Sequence, residues 1–138
     1  MTLDHFREHC LSFKGAKEEM PFDENTLVFK VVGKMFALFN MMTFEFTNLK
    51  CDPEKAITLR EEYTEVTPAW HMNKKHWNSV SFMGDLSDKQ IENWVEDSYN
   101  LVLKNIPKKL KLELDKILAP SFHYLLISFF YFHEFFFR

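Results

Sequence analysis

The sequence has little glycine, little cysteine and no excess of positive charge. Three glycines among 138 residues, with 46% hydrophobic and 27% charged residues, exclude a collagen-like, low-complexity or intrinsically disordered chain. The formal net charge is -3, so the field of the whole molecule does not attract a polyanion. Any contact with nucleic acid therefore requires a local basic patch. One compact domain is expected at this length.

Signals for export and for membrane insertion are also missing. Cys10 and Cys51 are the two cysteines, and the opening residues MTLDHFREHC have neither a basic region nor an apolar core. A reducing cytoplasm is therefore the expected compartment. The phenylalanine-rich residues 121–138 are interrupted by polar side chains and are shorter than the ~20 apolar residues that a spanning helix needs. They belong to the final stretch 119–138. We expect them to be a hydrophobic, aromatic extension of a single domain at residues 1–118, without a transmembrane segment.

The sequence lacks the short motifs of common enzymes. It has no glycine-rich phosphate loop, no G-x-S-x-G elbow and no paired-carboxylate motif. His5 and His9 are four residues apart on a predicted helix, but no second ligand pair accompanies them, so no metal or other cofactor is expected. Cys51 precedes a predicted helix start, with His71 or His76 as candidate partners. Because a lone cysteine at a strand end is usually a small packed residue, no enzyme activity is expected.

Helix start signals occur at three places. Thr2 is a candidate N-cap, Asp52 precedes Pro53 as a second, and Ser87 with Gln90 forms a capping box. The residues after Ser87 carry apolar side chains at spacings of three and four, which predicts a long amphipathic helix lying across a sheet. A few leucines and an isoleucine at residues 110–118 predict one or two further helical turns.

Strand signals fall into two groups. Residues 27–39 form two β-rich runs around Gly33-Lys34, which predicts a hairpin with a type II′ turn. Residues 44–51 are expected to pair antiparallel with the second run, and their change of parity indicates a bulge or a strand with two packed faces. Residues 66–68 and 77–82 predict two more strands.

The acidic residues 17–25 come before the first apolar run and predict a solvated loop. The predicted order of elements is therefore α-β(3)-α-β(2)-α. This order favours an α+β fold, a two-layer sandwich with an antiparallel sheet, over a parallel α/β fold.

The densest polar cluster is residues 70–78, WHMNKKHWN. Lysine and histidine neutralise phosphate, asparagine binds phosphate or an adenine edge, and an indole stacks on a base. One interpretation is an anion-contacting surface, and the other is an exposed loop held by its tryptophans with merely solvated lysines. Lys30, Lys34 and Lys50 extend the patch only if the order of the strands brings them to the same face.

Four stretches together resemble the MmcQ/YjbR family of small bacterial proteins: TLVFKVVGKMFALF, NLKCDPEKAITLREEY, VTPAWHMNKKHWNSV and the helix ending in SYNLVLKNIPKK. The resemblance covers about residues 1–112. It implies an α-β(3)-α-β(2)-α arrangement with an antiparallel sheet similar to that of secretion chaperones, and a DNA-binding function. Carried over to this sequence, it places the candidate nucleic-acid contacts at Lys34, Lys50, His71, Asn73, Lys74, Lys75, His76 and Asn78.

Three hypotheses about function follow from the sequence. The first is a DNA-binding protein that contacts phosphate through a local Lys/His/Asn patch. The second is a protein-interaction or chaperone-like adaptor that acts as a homodimer or with a protein partner. The third is a small-molecule site or enzyme built from Cys51, His71 and His76.

Overall fold

The computed structural model describes residues 1–117, which form four helices and six strands. The elements are α1 (Leu3–Leu11), β1 (Ala16–Glu19), β2 (Thr26–Val31), β3 (Lys34–Asn40), β4 (Phe46–Lys50), α2 (Pro53–Glu62), β5 (Val66–Pro68), β6 (Trp77–Ser81), α3 (Asp88–Lys104) and α4 (Lys108–Asp115). All strand pairs are antiparallel, in the order β1-β2-β3-β4-β6-β5. The predicted α+β class and antiparallel sheet are confirmed, and the predicted extension at 119–138 lies outside the described residues.

Helices α1 and α3 pack on one face of the sheet. Phe6 of α1 is fully buried, with its ring edge-on to Phe39 at 5.5 Å and to Phe82 at 5.1 Å. Helix α3 begins where the capping box predicts, since the Ser87 hydroxyl accepts a hydrogen bond from the backbone N–H of Gln90. Its apolar stripe is buried against the sheet, so the prediction of a long amphipathic helix is confirmed. None of the helices within residues 1–117 is long and apolar enough to cross a membrane.

The acidic segment after α1 is partly a strand, and the prediction of a continuous loop there was wrong. β1 pairs with β2 along its whole length, which adds one strand to the expected order. Helix α4 lies where further helical turns were predicted after α3. The charged side chains of β1 suit an edge strand, where charge discourages pairing with another molecule. Glu19 forms an ion pair of 2.9 Å with Lys30 of β2, and Glu18 pairs with Arg7 of α1. These partners are distant in sequence, so local propensity alone did not reveal the strand.

The predicted β2–β3 hairpin is present, but its turn lies one residue earlier than expected. Val31 pairs with Lys34, so the two turn residues are Val32 and Gly33, with φ angles of 44° and 77°. Two positive φ angles define a type I′ turn, and the prediction of a type II′ turn was wrong. Val32 therefore occupies a left-handed conformation that a β-branched residue rarely adopts.

Substituting Val32→Asn is expected to raise the free energy of unfolding by about 0.5 to 1 kcal/mol, because asparagine tolerates the left-handed region far better than valine. Urea denaturation measures the change. Val32→Ala is the matched control, since it also removes the apolar contacts of the valine methyl groups but lacks asparagine's tolerance of the left-handed region. A Val32→Asn protein less stable than Val32→Ala would show that Val32 is not strained.

Strand β4 has two packed faces, as one of the two alternatives predicted. Thr47 and Leu49 are buried on the side of the helices, whereas Asn48 lies on the opposite face. There, Val28 and Leu38 form a second, smaller cluster with residues of the β5–β6 connection. The β5–β6 connection thus partly covers the second face of the sheet.

Candidate nucleic-acid interface

The polar cluster seen in the sequence forms the β5–β6 loop, residues 69–76. The base of the loop is closed by the Ala69 N–H, which donates to the Trp77 carbonyl at 3.2 Å. Within the loop, the His76 N–H donates to the Asn73 carbonyl at 3.1 Å and forms a tight turn. The Asn73 side-chain oxygen accepts a hydrogen bond from Lys75 N–H at 3.0 Å, an Asx turn that presents the two lysines outward. Asn73 therefore shapes the loop as well as lining its surface.

The two tryptophans that flank the loop have different environments. Trp77 is 8% exposed and packs with Ala69 in the small cluster on the second sheet face. Trp70 is 69% exposed, and the Lys74 ammonium lies 4.2 Å from the centroid of its ring. Trp77 is thus the anchor, while Trp70 and Lys74 form an exposed cation–π pair.

Arg60 of α2 holds this loop in place, and the sequence patterns did not single it out. Its guanidinium donates to the Asn78 side-chain oxygen at 2.6 Å, to the Trp77 carbonyl at 3.4 Å and to the Lys74 carbonyl. One side chain therefore ties the loop to both α2 and β6. Its partners are backbone oxygens and a buried amide, which a sequence pattern does not mark.

The directions of the strands bring the loop close to Lys50. Strand β4 ends at Lys50, which pairs with Trp77 at the start of β6, and Cys51 N–H donates to the His76 carbonyl at 2.7 Å. The backbone of Lys50 is fixed by Ser98 of α3, whose hydroxyl accepts from Lys50 N–H at 2.9 Å and donates to the Phe36 carbonyl. Ser98 thus connects the end of β4 to β3 through hydrogen bonds, just beyond the last backbone pair of the two strands, Ala37 and Leu49.

A groove of about 580 Å³ opens between the loop and the end of α3. We call it the lysine groove, after its polar lining by Lys50, Asn73, His76 and Lys104. Lys104, the last residue of α3, was not among the candidates from the sequence, although it belongs to the basic run after that helix. It joins the other three only through the packing of α3 on the sheet.

The remaining candidates lie in different places. Lys34 is exposed at the first position of β3, at the same end of the sheet as Lys50, but it does not line the lysine groove. His71 is exposed and lines a separate groove with Met72 and Phe46.

Asn78 is 2% exposed, and its amide is committed to Arg60 and to the Ala56 carbonyl. Its buried amide cannot reach a nucleic acid in this structure, so Asn78 does not belong to the exposed interface.

Cys51 lines the lysine groove together with His76, but its environment does not activate the thiol. Burial raises the pKa of Cys51 above its ordinary value, and this effect outweighs the nearby Lys55 ammonium. Burial also raises the pKa of Cys10 in the core. A raised pKa reduces the thiolate fraction at neutral pH, which disfavours Cys51 as a nucleophile.

At pH 7 we expect iodoacetamide to alkylate Cys51 several-fold more slowly than free N-acetylcysteine amide, because less thiolate is present and the site is half-buried. The Cys51 rate should keep rising with pH beyond the point at which the model thiol levels off. Mass spectrometry of tryptic peptides follows both cysteines, and the more deeply buried Cys10 serves as a slower internal reference. A Cys51 rate equal to or above that of the model thiol would support the hypothesis of an enzyme that uses Cys51 as a nucleophile.

The pair His5 and His9 has a structural partner on α3. His5 Nε2 lies 2.8 Å from the Glu92 carboxylate, and His9 Nε2 lies 3.3 Å from the Glu92 carbonyl. The His5 contact holds the pKa of Glu92 below its usual value. The described part of the chain contains no group of three His, Cys, Asp or Glu side chains placed to hold a metal ion.

Solved structures share this fold at 28% to 35% sequence identity. The crystal structure of the Deinococcus radiodurans protein DR2400, with the domain DUF419, matches with a TM-score of 0.76 at 35% identity and covers 83% of this chain and 88% of its own. A crystal structure of a Pseudomonas syringae protein matches with a TM-score of 0.63 at 28% identity, over 73% of this chain and 98% of its own.

Curated relatives and a family model agree with these structures. YbdF of Escherichia coli O157:H7 is 38% identical over 90 residues, which cover 64% of this chain and 74% of YbdF. YjbR of Escherichia coli K12 is 31% identical over 110 residues, which cover 79% of this chain and 93% of YjbR. The YjbR family model matches residues 11–101. The chain therefore belongs to the YjbR family.

Proposed function

We propose that this protein binds DNA through the lysine groove and the adjoining Lys74-Lys75 pair. In this proposal it is a cytoplasmic binding module and not an enzyme, and it needs no cofactor. The observation that carries the proposal is the convergence of Lys50, His76 and Lys104 on one groove beside two exposed lysines. Three segments distant in sequence supply these side chains, so the cluster is a product of the fold.

The charge balance at this end of the sheet supports the proposal. Within residues 1–117, Lys50, Lys74, Lys75 and Lys104 have no ion-pair partner, whereas Lys30 pairs with Glu19 and Lys55 with Asp97. Asp52, the acid at the rim of the groove, caps α2 by accepting from Glu54 N–H at 3.1 Å. The patch is therefore locally cationic although the chain carries a formal charge of -3.

These groups suit phosphate oxygens better than base edges. Lysine ammonium groups are point charges that position a protein on the backbone without reading sequence. The exposed Trp70 ring offers an additional stacking surface for an unpaired base. The expected binding is thus salt-sensitive and weakly selective for sequence.

Fluorescence anisotropy of labelled duplex and single-stranded oligonucleotides with the full chain tests the proposal. If about four lysines contact phosphates, the slope of log K against log salt is about −3.6 for duplex DNA, so affinity falls roughly 10²-fold between 50 and 200 mM salt. Tighter binding to single strands would assign the Trp70 ring a stacking role. Absence of binding to either oligonucleotide at 50 mM salt would refute the proposal.

A protein-interaction role, as a homodimer or with a protein partner, is the second candidate. It is favoured by exposed apolar side chains around a cavity of about 370 Å³ on the second face of the sheet, where Phe46 is 44% exposed and Met83 is 76% exposed. Light scattering at micromolar concentration distinguishes this role, because a homodimer doubles the measured mass. A monomer that recovers no partner in pull-downs would argue against it.

A further inference from the structure

A second cavity, which we call the helix cavity, lies on the helix side of the sheet between α2 and α3. Its volume is about 280 Å³. Leu49 and Val80 of the sheet, Leu59 of α2, and Trp94 and Leu101 of α3 provide its apolar lining. A compact apolar space with a few polar groups at its mouth is the usual form of a small-molecule site.

The opening between the two helices is bridged by an ion pair. Lys55 of α2 donates to the Asp97 carboxylate of α3 at 2.9 Å, and this contact raises the pKa of Lys55. Both side chains are about half exposed, so the pair can separate at little cost in free energy. The bridge therefore spans the cavity without sealing it.

The charges around the helix cavity favour an anion. Lys55 and Asp97 neutralise each other, and the Asp52 carboxylate accepts the N-cap hydrogen bond of α2. Lys50 and Lys104 also line the cavity, and neither has an ion-pair partner within the described residues 1–117. The excess charge at its mouth is thus positive.

We propose that the helix cavity binds a small aromatic acid. The ring lies against Trp94, Leu59 and Leu101, and the carboxylate lies at the mouth near Lys104. The volume of the cavity is close to the lower limit of about 300 Å³ for ligand pockets, which suits one or two fused rings and excludes a nucleotide or a larger cofactor. At its mouth this site overlaps the proposed DNA contacts, since Lys50, Cys51, Asp52, Leu101 and Lys104 line both cavities.

Three indoles with the same ring test the proposal on the full chain without DNA. Indole-3-acetate carries an anion, indole-3-acetamide is neutral and tryptamine carries a cation. Leu49, Leu59 and Trp94 line the helix cavity and not the lysine groove. Titration followed by ¹H–¹⁵N NMR should shift their backbone amides with indole-3-acetate, less with the amide and least with tryptamine. Equal shifts with all three, or shifts confined to other residues, would overturn the proposal.

Cys51 lines both the helix cavity and the lysine groove, so its alkylation gives a second measure of occupancy beside the amide shifts. At an indole-3-acetate concentration four times its Kd, one fifth of the sites are free, so the alkylation rate should fall about fivefold. Cys10 should be unaffected, because it is buried in the core away from the cavity. An unchanged Cys51 rate at saturation would show that the acid does not occupy the cavity.

Substitutions at exposed positions of α3 test the cavity without removing a side chain from the core. Asn100→Trp places a large ring at the mouth and should abolish binding, whereas Glu96→Trp, on the same helix outside the cavity, should leave the affinity unchanged. Lys104→Gln should weaken the binding of indole-3-acetate about fivefold but leave the affinity for indole-3-acetamide unchanged. Loss of binding in Glu96→Trp, or full binding in Asn100→Trp, would contradict the assignment. Because DNA is absent throughout, failure here leaves the DNA-binding proposal standing.

Discussion

The double substitution Lys74→Ala with Lys75→Ala is expected to weaken duplex DNA binding tenfold or more at 50 mM salt. Each lysine that leaves a phosphate reduces the salt slope by about 0.9, so the slope should become shallower by about 1.8. The pair is exposed and its backbone is held by the Asx turn of Asn73 and by Arg60, so the substitution removes charge without unfolding the loop.

The matched control is Lys17→Ala with Lys89→Ala, which removes the same charge elsewhere. Lys17 lies on the edge strand β1, and Lys89 lies in the first turn of α3, at the opposite end of that helix from Lys104. Both are exposed, so we expect a loss of affinity below threefold, from the change in net charge alone. If both double variants lose affinity and salt slope equally, binding is a diffuse effect of charge and not a property of the loop.

Arg60→Ala is expected to lower the free energy of unfolding by about 2 to 3 kcal/mol, because it removes charge-assisted hydrogen bonds and leaves the buried Asn78 oxygen without its donor. The same change frees the Lys74 carbonyl, so the β5–β6 loop should also exchange its amide hydrogens faster. Urea denaturation measures the first effect and hydrogen exchange the second.

Arg7→Ala is the control for Arg60→Ala. Arg7 also makes two side-chain hydrogen bonds, to Glu18, but its side chain is 45% exposed and its partner is a surface carboxylate. Surface ion pairs of this kind contribute roughly 0 to 1 kcal/mol. Should Arg60→Ala cost no more than Arg7→Ala, the assignment of Arg60 as the residue that holds the loop would be wrong.

The parts of the fold that were predicted from the sequence depend on local signals. Thr2, Asp52 and Ser87 cap their helices as expected, because an N-cap acts within three residues of itself. The spacing of apolar residues on α3 likewise reports one buried face. The strand β1 was not predicted because three of its four residues are charged and because it is held by β2 and by Arg7, which are distant in sequence.

The candidate site was predictable only in part, for the same reason. Residues 71–76 are adjacent in sequence, so their polar density was visible directly. Lys104 reaches the lysine groove through the docking of α3, and Arg60 acts on backbone oxygens, so neither has a sequence signature. Asn78 was included as part of the polar run, but its side chain points to the helix side and is buried.

Mapping DNA contacts by ¹H–¹⁵N NMR on the full-length wild-type protein tests the central claim most directly. Titration with an unlabelled duplex of mixed sequence at 50 mM salt should shift the amides of residues 71–76, Lys50 and Lys104, and 200 mM salt should reverse the shifts. Amides of β1 and of the first turn of α3 should stay in place. Shifts centred on those two elements, or no shifts anywhere, would contradict DNA binding at the lysine groove.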